Sequence, residues 1–143
     1  MVINEMRLTI DSRSVNERFG RTVVAAFAAQ LDPTVEEIND IKTAVSEAVT
    51  NCIVHGYKNS LGKIYITVRI HDNGKVIISI RDKGCGINDI SKAREPLFTT
   101  VGGDRAGLGF SVMESFMDKL TVRSKVGYGT TVTLCKIIKG RTK

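Results

Sequence analysis

The chain has 143 residues, 42% hydrophobic and 25% charged, with a formal charge of +6. That length suits one domain, 1–143, with a real core, and the composition is ordinary for a globular protein. No apolar run approaches the roughly 18–20 residues of a membrane span. The start MVINEMRLTI lacks the basic-then-apolar order of a signal peptide, so a cytoplasmic location is expected.

In chain order, EMRLTI (5–10) alternates Met6, Leu8 and Ile10 as a half-buried strand does. Residues 14–31 place Val15, Phe19, Val23, Ala26, Phe27 and Leu31 at helical spacing, with Ser14 as the N-cap and Asp32-Pro33 as the stop. Thr34 and Glu37 form a T-x-x-E capping box, and a second helix is expected from about 35 to 57, ending at Gly56. KIYITVRI (63–70) and KVIISIRD (75–82) are rich in β-branched residues and flank Asn73-Gly74, a strong hairpin turn. A long glycine-rich stretch follows, of the kind that carries function or motion. Residues 108–118 read as a third helix. KLTVRSKV (119–126) and GTTVTLCKII (129–138) read as two strands around a turn at 127–129, and 139–143 as a frayed basic tail. The order β-α-α-β-β-loop-α-β-β predicts a mixed, mostly antiparallel sheet with helices on one face, a two-layer α/β sandwich.

Several chemistries fall away. Cys52, Cys85 and Cys135 form no CxxC, and an odd count argues against a disulfide framework. GYKNSLGK (56–63) has one residue too many between its glycines for a P-loop and continues into Ile64. No HRD or DFG is present, and no serine elbow accompanies His55 and His71. The basic balance could serve nucleic acid, an acidic surface or a polyanionic ligand, but tryptophan is absent and aromatics are few, which supplies a stacking platform poorly.

Three features remain. Glu47 and Asn51 sit at i and i+4 on one helix. The Asn amide oxygen suits Mg²⁺, which prefers oxygen ligands and completes its shell with water and phosphate. The Glu could take a proton from a hydroxyl approaching that phosphate. In RDKGCG, Asp82 ends a strand ahead of Gly84 and Gly86; a carboxylate there can accept from an exocyclic amine, and the glycines let a flat base lie close. In GGDRAGLGF, Gly107 and Gly109 precede a helix, whose N–H groups suit phosphate, and Arg105 offers a fork of donors. Taken singly, each has a plainer reading: a polar helix face, a strand-ending turn, a loop entering a helix.

In this order and with these elements between them, the features resemble the ATP-binding fold of histidine kinases and the GyrB, MutL and heat-shock chaperone ATPases, the GHKL or Bergerat family. Glu47–Asn51 matches its N box, Asp82–Gly86 its DxGxG box, Gly107–Gly109 its lid, and Gly129-Thr130 its late GT, with Thr131 alongside leaving that last match open by one residue. QLDPTVEEINDIKTAVSEAVTNCIVHGY, RDKGCGI, EPLFTT and DRAGLGFSVMESFMD are similar to the small stand-alone serine kinases of this family that act as sporulation anti-sigma factors.

The resemblance implies a homodimer that binds ATP with Mg²⁺, holds sporulation sigma factor F away from RNA polymerase, and phosphorylates a serine of its anti-anti-sigma antagonist. It implies no direct nucleic-acid or membrane partner. Asn51 would ligate Mg²⁺ and Glu47 would be the general base. Asp82 would read adenine, with Gly84 and Gly86 giving room and Thr130 helping to hold the base. Arg105, Gly107 and Gly109 would embrace the phosphates as residues 95–109 close. Arg21 matches a partner-contacting arginine. His55 matches the HGY of the family, with no chemistry assigned. The rival readings are a related serine kinase of a general stress circuit, an ATP-gated sigma-binding module with little catalysis, and a nucleic-acid-binding domain.

Overall fold

The computed structural model describes residues 1–94 and 109–141. Among the described residues five strands form one antiparallel sheet in the order β1-β2-β3-β5-β4: β1 Val2–Asp11, β2 Lys63–His71, β3 Lys75–Asp82, β4 Lys119–Lys125 and β5 Gly129–Ile137. Helices α1 (Val15–Ala28) and α2 (Val35–Asn51) pack on one face, with the short α3 (Ile90–Ala93) and α4 (Phe110–Phe116) beside the β4–β5 side. The predicted two-layer architecture is what forms. Among the described residues no helix is long and apolar enough to cross a membrane.

Strand periodicity builds the inner face in rows. Met6, Val68, Ile78, Leu134 and Leu120 lie in register, and so do Leu8, Ile66, Ile80, Val132 and Val122. The next row begins with Ile10 and Ile64 but continues with Asp82, Thr130 and Ser124. Alternation sends these three polar residues to the same face as the core isoleucines. The sheet therefore has an apolar floor with one polar corner. The opposing stripe on α2, Ile41, Ala44, Val45, Ala48 and Val49, is fully buried against that floor.

Several ends differ from expectation. Ser14 makes no side-chain cap, and its backbone is already helical; Asn16 instead donates to the Asp11 carbonyl at 3.0 Å. The first helix stops at Ala28 and tightens into a 3₁₀ turn over Ala29–Leu31, ended by left-handed Asp32. The C-terminal helix is shorter than 108–118, because Met117 turns extended so that Asp118 can accept from the Ile137 N–H at 2.7 Å. Helix α3 was unforeseen; Asp89 caps it at the Lys92 N–H. The tail is not frayed over 139–141. Glu37 accepts from the Lys139 N–H at 2.8 Å and the Gly140 N–H at 3.2 Å, and Arg141 pairs with Asp32.

Glu37 thus serves twice, closing the capping box with Thr34 and anchoring the tail. Burial raises its carboxyl pKa, but the hydrogen bonds from Thr34, Lys139 and Gly140 outweigh that and hold it below the ordinary 4.5. A depressed pKa gives stability that is present above the unfolded value and lost as pH falls through the folded one. Glu37→Gln should therefore lower the urea midpoint at pH 7 and abolish the part of the wild-type decline that sets in below about 4.5. A pH series of urea melts on both proteins reads this directly.

Candidate active site

The last buried position of the α2 stripe is polar. Asn51 is 9% exposed, facing the polar corner of the sheet, and Glu47 lies half-buried one turn earlier. Beyond Asn51 the helix widens into a π-helical turn, Cys52–Gly56, whose closing bond runs from the Tyr57 N–H to the Cys52 carbonyl at 2.9 Å. Such turns carry one extra residue and occur mostly at functional sites. The helix ends at Gly56 as expected, but not through a left-handed glycine. A Cβ on Gly56 would lie 2.8 Å from the Asp82 carboxyl carbon, so the carboxylate rests directly on the bare α-carbon.

Asp82 is 4% exposed. Its Oδ1 accepts from the Gly84 N–H at 2.9 Å, and the Thr130 N–H and the Cys52 thiol lie close enough to pull its pKa down. Burial pushes its pKa above the ordinary carboxylate value, against the pull of those three donors. Burial likewise drives the Cys52 thiol well up, helped by the Asp82 charge, so Cys52 stays a neutral S–H donor.

Between the π turn and the ends of β3 and β5 lies a cleft of about 360 Å³ counted to its open mouth. Ala48, Ile80, Val132 and Phe110 supply apolar walls; Asn51, Asp82 and Thr130 supply polar groups. A largely apolar cleft whose lining includes a buried carboxylate acceptor suits a heteroaromatic ring that bears an amine.

The structure brings Asn51, Asp82, Gly86 and Thr130 together in this cleft. It settles the parity of the GT pair: Thr130 faces inward and is buried, and Thr131 lies on the other face beside exposed Arg81 and Arg123. Glu47 is outside the cleft lining; it sits against left-handed Gly109, on which a Cβ would come within 2.3 Å of its Oε2. Gly84 does not line the cleft. Its α-carbon abuts Gly56, where a Cβ would lie 2.1 Å from the carbonyl oxygen, so the room it leaves is filled by protein rather than offered to a base. Gly86, at φ +79°, does line the cleft and passes close to the Lys125 carbonyl. Arg21 is on α1, outside the cleft lining and half-exposed, 3.5 Å from Glu17. Arg105 and Gly107 lie outside the described residues.

Three residues that shape the site carry no site role in the sequence reading: Cys52, Gly56 and Ser124. The Ser124 hydroxyl accepts from the Ile87 N–H at 2.7 Å and touches the Gly129 carbonyl at 3.0 Å and the Thr130 hydroxyl at 2.8 Å. Its signal was available in the strand alternation, since Leu120, Val122 and Ser124 share one face.

Residues 11–136 match the family model of the histidine kinase-like ATPase domain. An anti-sigma F factor of Thermoanaerobacter sp. (strain X514) is 60% identical over 136 residues, 94% of each chain. One from Caldanaerobacter subterraneus subsp. tengcongensis is 59% identical over 141 residues, 98% of this chain and 97% of that one. One from Bacillus velezensis is 53% identical over 135 residues, 93% and 92% of the two chains. Among solved structures, the RsbU and RsbW domains of a Mycobacterium tuberculosis protein superpose with a TM-score of 0.69 at 23% identity, over 94% of this chain and 32% of that one. The catalytic domain of the histidine kinase ThkA does so at 0.58 and 18% identity, over 96% and 97%. At such identities the structures speak for the fold. The chain belongs to the histidine kinase-like ATPase family and, within it, to the anti-sigma F factors.

Proposed function

We propose that the cleft holds ATP with Mg²⁺, and that the protein both sequesters sporulation sigma factor F from RNA polymerase and phosphorylates a serine on its anti-anti-sigma antagonist. One observation carries the nucleotide assignment: Asp82, a carboxylate kept buried against its own desolvation cost in the lining of a largely apolar cleft. A charge in such a place needs a purpose. An exocyclic amine is the complement its geometry fits.

Asn51 is the metal ligand in this proposal. Among the described residues no three His, Cys, Asp or Glu side chains are grouped to hold a metal by themselves. The protein's contribution would thus be one amide oxygen, with phosphate and water as the rest, the usual Mg²⁺ arrangement. When bound, Mg²⁺ neutralises charge on the triphosphate oxygens. Glu47 would accept the proton of the incoming serine hydroxyl as that oxygen takes the γ-phosphoryl group, while the bond from the γ-phosphorus to the β,γ-bridging oxygen breaks and ADP leaves. The transition state is loose, so positioning and charge neutralisation supply most of the catalysis.

For Arg105 and Gly107 a role at the phosphates rests on the family resemblance, as does partner contact by Arg21. Assembly as a homodimer in the cytoplasm is part of the same proposal, and the edge strand β1 offers one surface for it. The relatives named anti-sigma F factor support this circuit over a general stress circuit.

The deciding experiment incubates the protein with labelled ATP, Mg²⁺ and the anti-anti-sigma protein, then maps the labelled residue. Transfer to a serine supports the kinase reading; nucleotide-dependent sigma binding without transfer replaces it by an ATP-gated module. Asn51→Ala should lose Mg²⁺-dependent turnover. Glu47→Ala should keep ATP affinity and slow transfer by about 10²–10⁴-fold, the usual range for a general base. Unchanged transfer in that variant rules the role out.

Asp82 gives a pH-dependent test. Its folded pKa is raised, so its contribution to stability is full below the unfolded value near 3.8 and is lost as pH rises through the folded value. Comparing unliganded proteins by thermal melts, Asp82→Asn should gain on wild type over that interval and hold a constant offset above it. The same variant should bind ATP more weakly.

A further inference from the structure

We infer that Ser124 fixes Thr130 as a hydrogen-bond acceptor toward the cleft, and that this positioning sharpens the preference of the proposed adenine site for a 6-amino over a 6-oxo purine. The inference rests on the proposed nucleotide site and deepens it.

The argument is a count of protons. A serine hydroxyl has one hydrogen to give and two lone pairs to receive. Ser124 makes three contacts, at 2.7, 3.0 and 2.8 Å. The Ile87 N–H can only donate, so it occupies one lone pair. The Gly129 carbonyl can only accept, so it takes the single hydrogen. For the third contact Ser124 has only its other lone pair left. The Thr130 hydroxyl must therefore donate to Ser124 rather than receive from it. The reverse direction would forfeit the bond to Gly129.

This direction matters on the far side of Thr130. With its hydrogen committed to Ser124, the Thr130 oxygen can present only lone pairs to the cleft it lines. Asp82, its partner across the β3–β5 ladder, is also an acceptor. The β3–β5 ladder pairs the two residues directly, so the two oxygen-bearing groups are held in fixed relation. Two neighbouring acceptors match an amino group, which has two hydrogens. They repel a carbonyl oxygen, which has none. Asp82 alone would disfavour a 6-oxo group, but a freely turning Thr130 hydroxyl could donate to one and soften the discrimination. Ser124 removes that freedom. Ser124 is not itself in the cleft lining; it is a positioning residue, and it also fixes Ile87, which is part of that lining.

The test titrates ATP and inosine triphosphate, each with Mg²⁺, into wild type, Thr130→Val, Ser124→Ala, Ser124→Thr and Asp82→Ala, with a thermal melt to confirm folding of each. Thr130→Val is close in shape and lacks the oxygen. It should weaken ATP by about tenfold, the scale of one hydrogen bond, and leave inosine triphosphate unweakened. Equal or greater loss for inosine triphosphate would mean Thr130 donates, and would overturn the inference. Ser124→Ala should lower the ATP-over-inosine preference by about tenfold, and Ser124→Thr, which keeps the hydroxyl, should restore it. A folded Ser124→Ala protein with wild-type preference also overturns it. Should Ser124→Ala not fold, Thr130→Val decides alone. Asp82→Ala separates the two levels: unchanged ATP affinity there removes the purine site itself. Weakened ATP there, with the preference intact in the other variants, removes only the role of Ser124.

Discussion

The burial of one carboxylate organises this end of the molecule. Asp82 stands where the inner face of the sheet would otherwise continue with another isoleucine, in register between Ile64 and Thr130. A lone ion there would cost several kcal/mol in desolvation. The Gly84 N–H offsets part of that, since a hydrogen bond to a charged group is worth about 1.5–3 kcal/mol, and the nearby Thr130 N–H and Cys52 thiol favour the ionised form further. The balance leaves the carboxyl with a raised pKa, so the compensation is incomplete. A buried acceptor that lines a cleft is placed to meet a ligand's N–H.

The chain around Asp82 is shaped to admit it. Gly56 and Gly84 lack side chains where the end of α2 meets the turn after β3, and the Cys85 N–H donates to the Gly56 carbonyl at 2.9 Å across that contact. The Gly127 N–H then bonds the Cys85 carbonyl at 2.8 Å, which ties the β4–β5 turn to the same point. The π turn matters because an ordinary helix advances 100° per residue, whereas a π turn advances less. With one extra residue over Cys52–Gly56, the helix keeps Asn51 on the cleft side and still delivers both the Cys52 thiol and the bare Gly56 to the carboxylate.

Sequence alone reached the architecture because its signals are local and periodic. Alternating β-branched residues set β2 and β3, Asn73-Gly74 set their turn, and Thr34 with Glu37 set the start of α2. What escaped depends on tertiary contacts. Ser14 is a good cap by type, but the chain between β1 and α1 is already helical there, and Asn16 bonds Asp11 instead. The basic tail reads as solvated charge until Glu37 and Asp32 are found beside it. Gly84 looks like a residue making space for a ligand, when the space is for Gly56. Strand alternation puts Ser124 on the inner face with Leu120 and Val122, but its role shows only when the hairpin register sets it opposite Thr130.

The two kinds of chemistry proposed for the cleft sit on different supports. Asp82, Thr130 and Ser124 belong to the sheet, whose ladders hold them in register. Glu47 and Asn51 belong to α2, so their distance from the sheet row depends on how that helix is held. It is fixed at three heights. Near its start, Glu37 holds the backbone of Lys139 and Gly140. Further along, Lys136 on β5 pairs with Asp40 at 3.0 Å, both largely buried, and also donates to the Phe116 carbonyl at the end of α4. At its far end Gly56 bears on Asp82. A helix restrained at both ends and between cannot slide or roll by the ångström or so that would spoil alignment of a base and a phosphate. The ion pair, far from the reacting atoms, is thus part of what sets the spacing between base-reading and phosphate-handling groups, because truncating one partner would leave a buried charge and release the helix at its middle.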